Sequence, residues 1–424
     1  MERSALVEAV TQLTRALDQI ATLPPTPALR CEQIKLQVAL INPLMHVKGY
    51  AALETQACLD QARSLIERAE AFGEPLEDPL LLSSVLYGFW IVNYVAFNGN
   101  AVRELAMQFL ALAEQQGTAV VLMIGHRLMG MSLLTTGDIA EGRVHFDRAS
   151  ALYDPAEHRR LATRFGVETG VLISAYRSWA SWLLGYPEVA LADAEHSIKD
   201  AREIGQAATL MFALATTSFT QIICGNYAIA NVQIEELVAL SDEKDAAFWK
   251  ARGILWRGWL LGLSGRASDA VQMITSGLTA LRSTGATMLG PLWLSCLAGA
   301  YANLGQLDEA WRRSDESMTV MATTKEKWCE AEVNRIAGDI ALQSPERDTS
   351  KAEAYFERAL TIARQQQEKS WELRASMNLA RLWRDQGKVQ QARELLAPVY
   401  GWFTEGFDTR DLKEAKALLE ELAA

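Results

Sequence analysis

A chain of 424 residues, half of them hydrophobic and 22% charged, is long enough for two or three ordinary domains or for one extended repeat array. Its apolar content excludes a disordered chain, and 27 Gly with 11 Pro, about one residue in eleven, are too few turn formers for a sandwich or propeller. With 41 Lys and Arg against 52 Asp and Glu, a net charge of −11 and a pI near 5.2, the chain lacks the basic balance that nucleic-acid binding requires.

The opening, MERSALVEAVTQLTRAL, is charged throughout and has no apolar core of the kind a signal peptide needs; residues 3–20 read as a single leading helix. Pro24, Pro25 and Pro27 break it. From residue 29 to 405 the chain reads as helix pairs, with units at 29–72, 79–117, 118–154, 158–204, 206–243, 246–284, 287–322, 326–367 and 370–405; residues 79–153 follow the pattern more loosely. Residues 406–424, which contain DTRDLKEAKALLEEL, read as the charged capping helix that the end of an array requires. The predicted organisation is therefore a leading helix and Pro-rich link (1–28), a repeat array (29–405) and a C-terminal cap (406–424).

Three stretches carry no charged residue: between Asp78 and Arg103, between Glu203 and Glu235, and between Arg282 and Asp308. Each exceeds the roughly 20 residues that cross a bilayer. Yet the second contains Gln206, Gln221, Gly225, Asn226 and Asn231, and positive flanks are missing. They read as inner helices of a repeat, covered by neighbours on most sides, rather than as membrane spans.

Two ladders establish the repeat. Turn glycines occur at Gly185, Gly225, Gly265, Gly305 and Gly387, in the contexts LLGYPEVA, ICGNYAIA, LSGRASDA, NLGQLDEA and DQGKVQQA. Each is followed five positions later by Ala190, Ala230, Ala270, Ala310 or Ala392, and an earlier copy, TTGDIAEG, sets Gly137 before Gly142. Seven residues upstream of the turn stands a small residue: Gly130, Ser178, Ser218, Gly258, Ala298, Gly338 and Ala380. Gly338 belongs to the unit whose turn Gly is replaced by the longer link LQSPERDTSKAEAYFERAL, in which Ala352, Phe356 and Ala359 keep the pattern of the second helix. A period of 40 residues with two apolar-periodic segments is an antiparallel helix pair. Gly supplies the φ > 0 that ends the first helix, and the small residues let the two helices approach. Asp138, Ser268 and Asp308 are the expected N-caps of second helices. One pair cannot bury its apolar face alone, so the pairs must stack.

This pattern resembles the tetratricopeptide repeat. Gly305-Gln-Leu-Asp-Glu-Ala310 matches its turn and second-helix opening, Leu297, Ala298 and Tyr301 its first helix, and Tyr355-Phe356-Glu-Arg-Ala359 its second; the period of 40 rather than 34 is the departure. Ser4-Ala-Leu-Val-Glu-Ala9, LPPTPALR, KAEAYFERAL, WELRASMNLARLWRDQGK and ARELLAPVYGWFTEGFDTRDLKEAKALLEEL further resemble the C-terminal repeat region of bacterial multidomain class III adenylate/guanylate cyclases and predicted ATPases. In that family a cyclase domain and a P-loop ATPase module precede the repeats, and neither is visible in this sequence. The resemblance thus implies the non-catalytic part of a signalling protein.

No catalytic motif competes with that reading. Gly137-Asp-Ile-Ala-Glu-Gly142-Arg143-Val144 has Arg and Val where a Walker A loop needs Lys and Ser/Thr, and it coincides with a repeat turn. His46, His126, His145, His158 and His196 form neither HExxH nor an i,i+4 pair, and no GxSxG elbow occurs. Cys31, Cys58, Cys224, Cys296 and Cys329, with no CxxC, read as reduced side chains of a cytoplasmic protein.

Projection of the tetratricopeptide pattern onto the first helices gives groove candidates: Arg127, Trp179, Trp182, Phe219, Arg252, Trp259, Asn303, Arg335, Arg374, Met377, Arg381 and Arg384. Arginines lining an acidic protein's groove could hold a carboxylate or acidic peptide. The competing role is ion pairing with Glu and Asp of neighbouring helices, and for the tryptophans it is core packing. The expectation is an all-α, right-handed tetratricopeptide-like superhelix of about nine helix pairs. It is expected to be a non-enzymatic module without cofactor or metal. Its groove would bind a peptide, a protein domain or a small ligand and regulate an associated cyclase or ATPase, with no nucleic-acid partner and no membrane span. The alternatives are the sensor region of an ATP-dependent transcription regulator, a ligand-free scaffold whose groove is filled by its own side chains, and an enzyme hidden in the groove.

Overall fold

The computed structural model of the chain describes residues 2–50, 52–74, 78, 80–344 and 348–423. Pro79, which opens the second predicted unit, and Pro345–Arg347 of the long link lie outside the described residues, as do Met1 and Ala424.

Helix α1 (Glu2–Ala21) leads into α2 (Pro27–Lys48), and the link between them ends where the Thr26 hydroxyl caps the Leu29 N–H at 3.2 Å. α2 pairs with α3 (Leu53–Ala71), α4 (Leu80–Val95) with α5 (Gly99–Gln116), and α6 (Ala119–Thr136) with α7 (Ile139–Leu152). Two four-residue helices, α8 (Pro155–His158) and α9 (Ala162–Phe165), flank a 3-10 turn. Regular pairing then resumes: α10 (Thr169–Leu183) with α11 (Pro187–Ile204), α12 (Ala207–Ile223) with α13 (Tyr227–Glu243), and α14 (Ala247–Leu263) with α15 (Ala267–Ser283). α16 (Gly290–Asn303) with α17 (Leu307–Thr324), α18 (Glu330–Leu342) with α19 (Thr349–Gln365), and α20 (Lys369–Asp385) with α21 (Val389–Tyr400) complete nine pairs, and α22 (Arg410–Glu421) follows.

The ladders have the predicted geometry. Gly137, Gly185, Gly225, Gly265, Gly305 and Gly387 all adopt φ between +71° and +100° at the end of a first helix. Ala190, Ala230, Ala270, Ala310, Ala352 and Ala392 are fully buried. A Cβ on Gly130 would stand 2.9 Å from the Phe146 ring, and one on Gly338 would overlap the Phe356 ring, so these small residues make room for a phenyl of the second helix. Two expectations need correction. Ser268 and Asp308 are not N-caps, because α15 and α17 begin one residue earlier, at Ala267 and Leu307. His158 does not open the first helix of the fourth pair. Gly166, at φ +83°, breaks the chain, and the Glu168 carboxylate caps α10 through the Val171 N–H at 2.9 Å.

The pairs wind so that each of the first four meets the pair five places after it. Val95 C=O, at the end of α4, accepts from the Thr287 and Met288 N–H groups at 2.9 and 3.0 Å, just before α16. Thr135 C=O in α6 accepts from Lys327 N–H at 2.9 Å, just before α18. Trp182 C=O in α10 accepts from the Ser370 hydroxyl of α20, and Ile223 C=O in α12 from the Arg374 guanidinium at 3.0 Å. The last carbonyls of a helix lack intrahelical donors, so the second superhelical turn satisfies groups that the first leaves open. At the far end Gly406 N–H donates to Glu188, and Glu405 accepts from the N–H groups of Glu188 and Val189, locking the segment before α22 onto α11.

The charge-free stretches form the inner helices α4, α12 and α16, and their residues are mostly buried. Among the described residues one helix, α6, is long and apolar enough to cross a membrane; 78% of it is buried inside the protein.

Candidate functional site

The first helices face inward, and the winding folds their inner faces against one another instead of leaving one continuous trough. Along α10, α12 and α14 the side chains run in the same order from one end of the interior to the other. Tyr176, Phe212 and Arg252 line one chamber; Trp179, Phe219 and Trp256 come next; Ile222 and Trp259 line a second chamber. The middle set is an aromatic partition. Trp179 stands 4.5 Å from Phe219 and 5.4 Å from Trp328, Trp182 is 4.6 Å from Trp371, and Trp256 is 4.4 Å from Trp293, centroid to centroid. Trp179, Trp182 and Phe219, expected in an open groove, are therefore core. Their partners Trp328 and Trp371 arrive from the following superhelical turn, which a single-helix projection cannot anticipate.

The C-terminal chamber, about 480 Å³, brings together six of the twelve predicted residues: Trp259, Asn303, Arg335, Arg374, Met377 and Arg381. Its charges are paired. Arg335 holds Glu332 bidentately at 2.7 and 2.8 Å and Asp339 at 2.5 Å. Arg374 holds Asp411 at 2.7 Å and lies over the Trp182 and Trp371 rings at 5.1 and 5.0 Å. Arg381 and Arg410 share Glu414 at 3.2 and 2.6 Å. Arg384, half-exposed and outside both chambers, bonds Glu421 and Asp385. These arginines pair with acidic side chains and do not form a bare basic stripe. Asn378 donates to Asp339, and Asn303 accepts from Gln343 at 3.4 Å, so carboxamides at the end of α16, just after α18 and on α20 stand among the ion pairs. This wall presents donors and acceptors beside the apolar faces of Trp259 and Met377.

The N-terminal chamber, about 490 Å³, is mainly apolar, with Tyr50, Tyr87, Tyr94, Tyr176, Phe212, Phe248 and Trp249 among the side chains that line it. Both volumes fall in the range of small-ligand sites, about 300–1,000 Å³. Arg252 on α14 closes its inner side, 2% exposed. No carboxylate pairs with Arg252 among the described residues, and its Nε and Nη2 lack hydrogen-bond partners. Its compensation is aromatic, with Trp249 and Phe248 rings at 5.5 and 6.0 Å. A buried unpaired ion costs several kcal/mol, and a desolvated cation–π contact returns about 2. Burial therefore pulls the Arg252 guanidinium below its ordinary value, while the neighbouring tyrosines push it back up. Burial also raises the Tyr50 and Tyr94 hydroxyls, so they stay neutral, and the Tyr94 hydroxyl beside Tyr176 meets no partner of hydrogen-bonding geometry. Arg127 lines neither chamber: it is buried behind Tyr87, 5.3 Å from the ring, and Glu168 is the acidic group whose field it feels.

This chamber escapes sequence reasoning because its walls come from α2, α4, α10, α12 and α14, and only Arg252 stands on the predicted face. Two histidines that look isolated in sequence also meet: His126 and His145 stand Nδ1 to Nδ1 at 3.0 Å, on paired helices α6 and α7. Among the described residues no group of three or more His, Cys, Asp or Glu could hold a metal ion.

No family model matches the chain, and no curated protein matches it in sequence. Solved structures do match it in shape. A Rap protein complexed with competence and sporulation factor aligns over 92% of this chain and 99% of its own, at 11% identity and a TM-score of 0.59. The Rap conjugation gene regulator of plasmid pLS20, in complex with a Phr peptide, aligns over 95% of this chain and 97% of its own, at 9% identity and a TM-score of 0.52. The fold is a tetratricopeptide-like helical-repeat solenoid. At these identities the likeness is one of fold. A tetratricopeptide repeat protein from Parabacteroides merdae ATCC 43184 aligns more loosely, over 65% of this chain and 93% of its own at 14% identity, with a TM-score of 0.39.

Proposed function

We propose that this chain is a non-catalytic recognition module whose C-terminal chamber receives a short peptide or an extended segment of a partner protein. The observation that carries this is the chamber's wall. Asn303, Asn378 and Gln343 offer main-chain recognition, Trp259 and Met377 offer apolar contact, and the fixed ion pairs of Arg335, Arg374 and Arg381 add charge of both signs. A polar, mixed-charge wall suits a peptide backbone better than a single strong anion. Two neighbours with a TM-score above 0.5 are complexes, one with competence and sporulation factor and one with a Phr peptide, which supports a peptide-binding use of this fold.

In this reading residues 29–405 are the binding body, with residues 1–28 and 406–424 as its ends, and the setting is the cytoplasm of a bacterium. The output is an associated nucleotide cyclase or ATPase, as the resemblance of the opening and closing segments implies. Occupancy acts through the turn-on-turn contacts, since a ligand between α12 and α20 touches both superhelical turns. Selection of short peptides from a display library against the full chain tests the proposal. Trp259→Ala and Asn303→Ala should each weaken the selected peptides at least tenfold. Unchanged affinity in both variants would refute the site. Addition of the peptide-bound chain to a cyclase or ATPase domain encoded beside it should change nucleotide turnover, and an unchanged rate would remove the output.

The aromatic partition favours a second reading, a ligand-free scaffold, because it fills the middle of the interior with the chain's own side chains. A library that yields no binder for the C-terminal chamber would select it.

A further inference from the structure

We propose that the N-terminal chamber is a second, separate site that binds a monocarboxylate carrying an apolar body, its carboxylate held by the Arg252 guanidinium and the Tyr94 hydroxyl. Chamber-lining arginines elsewhere in this molecule have carboxylates within reach: Arg335 holds two and Arg374 holds Asp411. Arg252, more deeply buried than either, has none, and two of its three nitrogens lack any acceptor. Tyr94, on the same chamber wall, has a buried hydroxyl that lies beside the Tyr176 hydroxyl but makes no hydrogen bond of good geometry. An unsatisfied donor is costly in a low-dielectric interior, and two of them beside one cavity describe the complement of an anion.

The rest of the chamber fixes the ligand's class. One guanidinium with one hydroxyl matches the two oxygens of a carboxylate, and Arg favours that planar, bidentate geometry. A phosphate dianion would demand further donors, and the ionisable lining groups nearer the mouth include the carboxylate of Asp78, paired with Arg164. Phe212, Phe248 and Trp249 provide walls for an aromatic or aliphatic body. The aromatic partition keeps this site apart from the C-terminal chamber, so it stands whether or not a peptide binds there.

The same chemistry could arrive as a free acid or as the C-terminal carboxylate of a peptide, and calorimetric titration of the full chain separates the two. The probes are phenylacetate and octanoate against phenylacetamide and octanamide, and a Phe-terminated pentapeptide with a free against an amidated C-terminus. At least one acid should bind at least tenfold more tightly than its amide, and Arg252→Met and Tyr94→Phe should each lose at least tenfold. A preference confined to the free acids assigns a small metabolite; one shared with the pentapeptide assigns a chain terminus. Because Arg252→Met removes a buried charge that ring contacts offset only in part, its ligand-free melting temperature should equal or exceed that of the parent. The proposal is overturned if acids and amides bind alike, or if Tyr94→Phe and a folded Arg252→Met keep full affinity. It is equally overturned if no probe binds up to millimolar concentration, or if Arg252→Met lowers the melting temperature, which would make the guanidinium a structural prop.

Discussion

Arg335 and Arg381 bring the same side chain to the same chamber, and burial separates what each contributes. The Arg335 and Glu332 side chains are 17% and 5% exposed, so Arg335→Met would leave the buried Glu332 with only Arg374, at 3.8 Å, and would remove the Asp339 ion pair. Loss of one partner of such a pair should cost roughly 3 kcal/mol in urea unfolding. Arg381 and Glu414 are each more than a third exposed, and Arg381→Met should cost less than about 0.5 kcal/mol. Equal losses would mean that the two pairs share one environment. Glu326 gives the pH counterpart. It is fully buried, accepts from Leu289 N–H at 2.9 Å and Trp328 Nε1–H at 3.2 Å, and has a second oxygen without a partner. Burial pushes its carboxyl from the ordinary 4.5 to about 8, although both hydrogen bonds pull it down. The folded state therefore binds this proton more tightly than the unfolded chain. Its contribution to stability is complete below pH 4.5 and is lost as pH rises through about 8, at about 1.4 kcal/mol for each pH unit between those two values. Glu326→Gln should make the decline in melting temperature between pH 5 and pH 8 shallower, while Glu368, also buried with its carboxyl raised, keeps its own share of it. A variant that declines as steeply as the parent would contradict this account of Glu326.

At the scale of a helix pair, glycine has opposite consequences according to what faces it. Gly338 in α18 has the Phe356 ring where a methyl would go, so Gly338→Ala should destabilise by about 1–2 kcal/mol despite better helix propensity. Gly299 in α16 has its nearest neighbour, Ile336 Cγ2, at 3.7 Å, and Gly299→Ala should gain about 0.5–1 kcal/mol. Thermal unfolding of both variants checks the contrast, and a shift of the same sign in both would undo it. Much of this level is legible in the sequence, because turn glycines, the small-residue ladder and the second-helix alanines are local constraints repeated every 40 residues. Ser268 and Asp308 mimic N-caps because these helices start directly behind the turn, where an Asp or Ser in the first turn looks like a cap. Trp179, Trp182 and Phe219 project into a groove because helix phase places them inward, and phase alone does not say whether another superhelical turn covers them.

For the whole molecule the deciding fact is that the superhelix meets itself. Carbonyls at the ends of α4 and α6 are bonded by the loops that open α16 and α18, so the interior is walled by both turns and divided by Trp179, Phe219, Trp256 and Trp328. A sequence period predicts that pairs stack but not how many make a turn, which is why the chamber of Arg252 and Tyr94 is invisible from the pattern. The same closure sets the mechanics. A freely flexing spring would spread a small change of stacking angle along all nine pairs, whereas bonds between pairs five apart confine motion to opening or closing one turn on the other. Hydrogen–deuterium exchange of the full chain, with and without a library-selected peptide, tests the central claim most directly. Protection should appear on the chamber segments of α14, α16, α18 and α20, and at Thr287 and Lys327 where the turns meet, with the outer helices α13, α15 and α17 unchanged. Protection confined to those outer helices, with the chamber segments unaltered, would contradict an interior recognition site.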